Sequence, residues 1–551
     1  MAGAVATHGP TAATSLLSRV STEVLADATE RRLDAREWLF RAGEAADSCF
    51  VVLTGRLEVV VETGEGSRVA RVLGPGAALG ELAILTGEPR SASVRALRDS
   101  KLLELDGERF AALLDRDPGF AAGLARELAR QLQASGGLDQ PEARVAVIAV
   151  TGDDAAGFAA ELARSLGVWA EVQVLDGGRL APDAFAAAVD AAEAEHAYVL
   201  LVDSGADEAW RRFCSRQADR VLFVTRSGRA AQDAVPGCEL VLIGVPEVEI
   251  APLLDAVGAR AHHVVPEGAG YAGGVARAAR RLTGRSLGVV FSGGGARGFA
   301  HIGVLEALVD AGFELDRFGG CSMGALVAGM AATSGARDVE LRCREELVRR
   351  SPFNDYTLPR VALIRSRKAA AMLHRVFGDA LVEELEHSLF TVSADLLSSR
   401  VVVHRRGSIV DAVGASMSIP GVAPPVRRPG RLLVDGGVLN NLPVDHMAET
   451  GEGPVIAVDV IRRLGEPGEG VEPPLPSITE TLARATVLGS VERAERNREL
   501  ASLVIAPDVQ MVGLREWSAF ERAVEAGREA AAEALAGGGA EQLRALVEAP
   551  S

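Results

Sequence analysis

The stretch "FSGGGARGFAHIGVL", Phe291 to Leu305, follows the apolar run "LGVV" and reads as a strand-to-helix turn. Gly293, Gly295 and Gly298 fit the G-x-G-x-x-G spacing of a dinucleotide-binding turn. A glycine-rich turn at a helix start also offers bare N–H groups to any anion, including the oxyanion of a reacting ester. The neighbours decide between the two. Asp316 lies at a tolerable distance for the acid that holds a cofactor ribose. "GGCSMGALVAGM" then places Gly320, Cys321, Ser322, Met323 and Gly324, a G-x-S-x-G pattern, between an extended run and an Ala/Leu/Val helix. Glycines on both sides of Ser322 allow the strained turn that lifts a nucleophilic hydroxyl above a sheet.

An exposed serine needs a base. His301, His374, His387, His404 and His446 carry no signature context, whereas "RLLVDGGVLNNLPVD" places Asp435 at the end of an apolar strand, beside Gly436 and Gly437. His446 is the alternative base. His301 reads as a packing or capping residue, and Cys321 as buried. Arg365, Arg367 and Lys368 read as a solvated helix face, with a lipid phosphate as their alternative partner.

"GGGARG", "GCSMG" and "DGG" in that order, with "ASMSIPGVAPPV" between the last two, resemble the patatin-like phospholipases. Within them the chain resembles the neuropathy target esterase group, its bacterial members especially. The resemblance implies an α/β hydrolase that cleaves acyl esters of phospholipids or lysophospholipids by a Ser-Asp dyad, with neither metal nor catalytic cofactor. It implies Ser322 as nucleophile and Asp435 as base. It also implies an oxyanion hole at Gly293, Gly294, Gly295, Arg297 and Gly298, with Gly320 and Gly324 framing the elbow. "SADLLSS" near Asp395 departs from the group's "ATDL" followed by Thr-Gly. Animal members carry a membrane anchor and further nucleotide domains, so their location and regulation are not carried over.

Upstream, residues from about 15 to 115 read as β-rich, with "CFVVLTGRLEVVVE" forming two strands about Gly55. A helix follows, with Phe120, Leu124, Leu128 and Leu132 on one face, and Gly136 to Ala143 forms a linker. In "LGELAILTGEPRSASV", Arg90 supplies a fork of donors for a cyclic phosphate, Glu81 an acceptor for a ribose hydroxyl, and Gly80 and Ser91 flank them. With "LFRAGEAADSCFVVLTGRLEVV", this segment resembles the cyclic-nucleotide-binding domain of the cAMP receptor protein and of regulatory kinase subunits. That implies cAMP or cGMP as a regulatory ligand.

From Arg144, apolar strands "AYVLLVD", "RVLFVTR" and "CELVLIGV" alternate with alanine-rich helices, the pattern of a buried parallel sheet. Gly152 and Gly157 have P-loop spacing, but Phe158 and Ala159 follow where the phosphate-binding Lys and the Ser or Thr belong. Asp203 lacks that lysine, so the unit reads as a degenerate P-loop-like fold. The expected domains are 15–135, 144–283 and 286–535, with a Gly- and Pro-rich loop near 464–476.

The bulk properties of the 551 residues fit this division. A formal charge of −17 argues against nucleic acid as a partner. Five cysteines without paired spacing indicate neither a disulfide framework nor a zinc site. The sequence lacks a signal peptide and any uninterrupted apolar stretch of about 18 residues, so the expected location is cytoplasmic or peripheral to a membrane. The competing class is a nucleotide-responsive scaffold with an inactive hydrolase domain.

Overall fold

The computed structural model describes residues 29–116, 121, 147–461, 475 and 478–548, except for 64–65, 76, 206, 229–233, 245–248 and 359. The helix bearing Leu124, Leu128 and Leu132, the linker at Gly136–Ala143 and nearly all of the 464–476 loop lie outside the described residues. The chain divides into two compact units, residues 1–159 with 172–222, and residues 160–171 with 223–551.

The first unit begins with eight strands: β1 (Thr29–Leu33), β2 (Trp38–Phe40), β3 (Ser48–Thr54), β4 (Leu57–Thr63), β5 (Gly66–Leu73), β6 (Ala78–Leu79), β7 (Ser93–Ala96) and β8 (Ser100–Asp106). They form two antiparallel four-stranded sheets, ordered β1-β8-β3-β6 and β2-β7-β4-β5. Leu39, Phe50, Val52, Leu57 and Val94 fill the space between them. Gly55, at φ 88°, makes the turn between β3 and β4. The short helix α1 (Glu81–Thr86) follows β6. Further along, β9 (Val147–Gly152), β10 (Val172–Asp176) and β11 (Tyr198–Val202) pair in parallel in the order β10-β11-β9. Helix α2 (Ala155–Leu166) buries Phe158 and Ala159, so the two positions that would reach a phosphate in a P-loop pack as core instead. Asp203 accepts from Gly205 N at 2.9 Å and pairs with Arg211 Nε at 2.8 Å.

Strand β12 (Arg220–Thr225) comes next, and in the second unit β13 (Glu239–Ile243) and β14 (Ala261–Val265) pair in parallel. The rest of this unit is built on an eight-stranded mixed sheet of β15 (Gly288–Phe291), β16 (Arg317–Gly320), β17 (Ser388–Asp395), β18 (Arg400–His404), β19 (Val426–Arg428), β20 (Arg431–Asp435), β21 (Val455–Val458) and β22 (Leu503–Ile505). The order is β19-β20-β17-β16-β15-β21-β22, and β18 pairs with β17. Helices α3 (Ala300–Asp310), α4 (Met323–Ser334), α5 (Arg367–Phe377), α6 (Ile478–Leu488), α7 (Val491–Glu499) and α8 (Phe520–Ala534) belong to the same unit. Every residue of α4 from Met323 to Ala332 is buried, which explains an apolar composition without a polar face. Helices α3 and α8 approach backbone to backbone, because a Cβ on Gly303 would strike Val524 O and one on Gly527 would strike Ala300 O. Among the described residues, no helix is long and apolar enough to cross a membrane.

Candidate active site

Strand register brings the separated motifs together. Gly320, at the end of β16, pairs in parallel with Thr391 of β17, and two residues on Ser393 pairs with Asp435 of β20. Ser322 follows β16 at φ 53° and ψ −120°, a backbone conformation that costs a non-glycine residue of order 1–3 kcal/mol and persists only where the surroundings impose it. The strain therefore rests on the serine itself. Gly320 and Gly324 have ordinary φ values and are required by close approach, since a Cβ on Gly320 would meet the backbone of Gly324, and one on Gly324 the carbonyl of Phe291. Ser416 Oγ accepts the Ser322 N–H at 2.9 Å and holds the elbow from α-helical residues 409–416.

Asp435 is 3% exposed. Its Oδ1 accepts from Gly437 N at 2.8 Å and from Cys321 Sγ at 3.5 Å. Burial pushes its pKa from 3.8 up to about 6, with the Ser322 hydroxyl, Gly437 N–H and Cys321 thiol pulling the other way. The Cys321 thiol, wholly buried beside this carboxylate, is raised well above its ordinary value and serves as a donor rather than a nucleophile.

The glycine turn sits opposite. Gly293 N donates to Asn441 O at 3.1 Å, and Asn441 Nδ2 returns a bond to Gly293 O at 3.2 Å. Gly295 adopts φ 54°, Ala296 N donates to Leu514 O at 2.9 Å, and Arg297 N donates to Gly294 O at 3.2 Å. The Arg297 guanidinium reaches away, to Val512 O at 2.7 Å and Gln510 O at 3.2 Å. Gly298 packs so closely on Met323 that a Cβ has no room. Of the five expected oxyanion residues, Gly294 and Gly295 donate no backbone hydrogen bond among the described residues, whereas Gly293 and Arg297 already have backbone acceptors. Asp316, the would-be ribose acid, is held by Arg280 through two contacts of 2.7 Å.

Ser322, Asp435 and Gly293 to Gly295 line a cavity of about 440 Å³ whose walls include Phe353, Ile364, Met417, Ile419, Val422 and Trp517. No histidine lines it among the described residues. His446 is buried against Phe390, and its Nδ1 lies 3.8 Å from Glu449. His301 Nε2 bonds Ser292 O at 2.8 Å, and burial lowers its pKa to about 4. His404 Nε2 bonds Ser393 Oγ at 2.7 Å. Asp395 closes the "SADLLSS" turn, accepting from Leu397 N, Leu432 N and Ser398 Oγ. Neither Ser416 nor Asn441 has a role legible in the sequence, because each acts across more than ninety residues, although Ser416 lies in "ASMSIPG" and Asn441 in "DGGVLNN".

In the first unit, Gly80 caps α1 at φ 79°, and Glu81 is 2% exposed. Arg90 is buried, donating from Nη1 to Gly80 O at 3.0 Å and from Nη2 to Ser48 O at 2.6 Å, with its guanidinium 4.2 Å from the Phe40 ring centroid. Desolvation lowers the Arg90 pKa against the pull of Asp47, Glu44 and Glu81. Ser91 is exposed at the following bend. Gly80, Glu81 and Arg90 are thus brought together beside Ser48 at the start of β3.

Residues 289–448 match the family model of the patatin-like phospholipases, and residues 30–117 that of the cyclic nucleotide-binding domain. The chain is 36% identical over 558 aligned residues to an uncharacterized NTE family protein of Mycobacterium tuberculosis, with 93% of each chain covered. It is 27% identical over 635 residues to a lysophospholipase NTE1 of Cryptococcus neoformans, spanning 95% of this chain and 39% of that protein. Against the human patatin-like phospholipase domain-containing protein 6 it is 29% identical over 513 residues, covering 78% and 37% respectively.

Proposed function

This chain belongs to the NTE family, and from that premise we propose that it hydrolyses the acyl ester of lysophospholipids with Ser322 as nucleophile and Asp435 as its direct base. The observation that carries the reading is a serine on a strained elbow facing a buried carboxylate, in a cavity that no histidine lines among the described residues. Asp435 takes the hydroxyl proton as Ser322 Oγ bonds to the ester carbonyl carbon. The oxygen that becomes negative meets the N–H groups of Gly294 and Gly295, donors fixed beforehand by the Gly293–Asn441 and Ala296–Leu514 bonds. Collapse breaks the bond to the leaving alkoxide, which receives the proton from Asp435. Water then attacks the acyl-serine with Asp435 again as base and releases the fatty acid. The apolar wall from Phe353 to Trp517 suits one acyl chain.

In the same reading, residues 15–135 are a sensor for cAMP or cGMP, 144–283 an α/β segment without a phosphate cradle, and 286–535 the hydrolase. A cyclic phosphate would draw the Arg90 guanidinium from Gly80 O and Ser48 O, and Glu81 would accept the ribose hydroxyl. If nucleotide binding changes hydrolysis through an equilibrium coupling, a substrate analogue must change nucleotide affinity by the same factor.

Fluorophosphonate trapping followed by peptide mass spectrometry tests the nucleophile. The adduct is expected on Ser322, with Ser322→Ala and Asp435→Asn each losing nearly all turnover and the double variant losing little more. An adduct elsewhere, or wild-type turnover by Asp435→Asn, overturns the dyad.

A further inference from the structure

The edge of the acyl cavity carries side chains that hydrolysis does not use. A backbone bridge between Tyr356 and Ile364 closes a short hairpin, tied down by Leu363 N to Gly421 O and Ile364 N to Val422 O, each 3.0 Å. At its base Asp355 Oδ2 accepts from Arg367 N at 2.8 Å and caps α5, so the hairpin is held at both ends. Tyr356, Leu363 and Ile364 line the cavity, which places the hairpin tip at its rim. Yet Leu358 at the tip is 85% exposed and Val361 71% exposed. Two neighbouring rim segments repeat the pattern: Met511 is 88% exposed three residues before Leu514 of the cavity wall, and Leu488 is 70% exposed where α6 lines it.

Cations accompany these apolar groups. Arg360 and Arg365 are exposed on the hairpin, Arg515 bonds the Tyr356 hydroxyl from the facing segment, and Arg484 lines the cavity. The chain as a whole has a formal charge of −17, so a rim where arginines flank exposed Leu, Val and Met is a local reversal. A second protein surface seated here would close the mouth through which substrate must pass. A phospholipid surface would not: it takes up the apolar tip, offers phosphates to the guanidinium groups and supplies lipid at the mouth.

We propose that the rim formed by Tyr356, Leu358, Arg360, Val361, Arg365, Leu488 and Met511 docks on an anionic phospholipid bilayer, with Leu358 and Val361 inserted and Arg360 and Arg365 at the phosphates. The proposal rests on the hydrolase reading, and the test separates the two. The full chain is sedimented with phosphatidylcholine vesicles, with and without a third of phosphatidylglycerol, beside the variants Leu358→Asp/Val361→Asp and Arg360→Glu/Arg365→Glu. Hydrolysis of a water-soluble short-chain nitrophenyl ester is measured in parallel.

Wild type is expected to favour the anionic vesicles. The apolar pair should lower partitioning about tenfold or more on both, and the arginine pair chiefly on anionic vesicles at low salt. Ester turnover in solution should stay at the wild-type level in both variants. Partitioning unchanged by both variants, equal wild-type partitioning to neutral and anionic vesicles, or a concentration-dependent dimer that both variants abolish would overturn the surface. The expected partitioning without any ester cleavage by the wild type would retain the surface and overturn the hydrolase reading.

Discussion

Replacing Asp435 by Asn should make the protein more stable and inactive at once. Burial holds the Asp435 pKa at about 6, against an ordinary value of 3.8. A carboxyl whose folded pKa is raised favours the native state fully only below 3.8, and that contribution is lost as pH rises through 6. Above that window the charged form burdens the folded state by about 3 kcal/mol, at about 1.4 kcal/mol for each tenfold step. Asparagine retains the shape and an oxygen for the Gly437 N–H, and it removes the buried charge. At pH 7.5 the variant should gain about 3 kcal/mol, falling to about 0.5 kcal/mol at pH 4, where the wild-type group is protonated in the folded state. Over the ~340 residues of the second unit, the gain at pH 7.5 corresponds to a rise of about 4 °C in unfolding midpoint. Differential scanning calorimetry of both proteins at the two pH values, with esterase assays alongside, reads all of this. Equal midpoints at pH 7.5, or a gain that persists undiminished at pH 4, would refute the account of Asp435 as a carboxylate charged at the cost of stability.

The same carboxylate predicts that kcat/KM rises about tenfold per pH unit below about 6 and levels off above it, a profile that a stopped pH series of ester hydrolysis checks. Ser416→Ala leaves the buried Ser322 N–H without its acceptor, and a loss of about 1–3 kcal/mol should appear in kcat more than in KM. Gly295→Ala forces a side chain into Leu514 O at φ 54°, and displacement of an oxyanion donor should lower kcat about 10²–10³-fold in steady-state assays. Arg90→Ala should weaken cyclic nucleotide binding about ten- to a hundredfold by calorimetry, the worth of one charge-assisted bond.

What the sequence disclosed were features whose physics is local. The apolar runs on either side of Gly55 read as strands and are strands; the glycine turn, G-x-S-x-G and Asp435-Gly436-Gly437 each announce a backbone shape within a few residues. The absence of a lysine after Gly157 was equally plain, and Phe158 and Ala159 are core. Roles that depend on distant partners were hidden. Arg297 follows the glycine turn in sequence, yet its guanidinium serves Val512 and Gln510. Cys321 reads as a packed neighbour of the nucleophile, and only the β16–β17–β20 register reveals that its thiol meets Asp435. The glycines of the elbow were legible as necessary, but for a different reason: they make room, while Ser322 takes the strained dihedrals.

The bond from Ala296 N to Leu514 O joins the glycine turn to a segment 218 residues later in the chain, well past residue 448 where the patatin-like match ends. That contact gives the enzyme a timetable. Synthesis at about 5–20 residues per second leaves the turn waiting roughly 10–45 s for its buttress after it has been polymerised. Ser322 and Asp435 are both made within that interval, before the turn that carries the proposed oxyanion donors is held in place. In the proposed mechanism, a chain cut before Leu514 therefore keeps Ser322 and Asp435 but lacks the contact that buttresses the turn carrying its oxyanion donors.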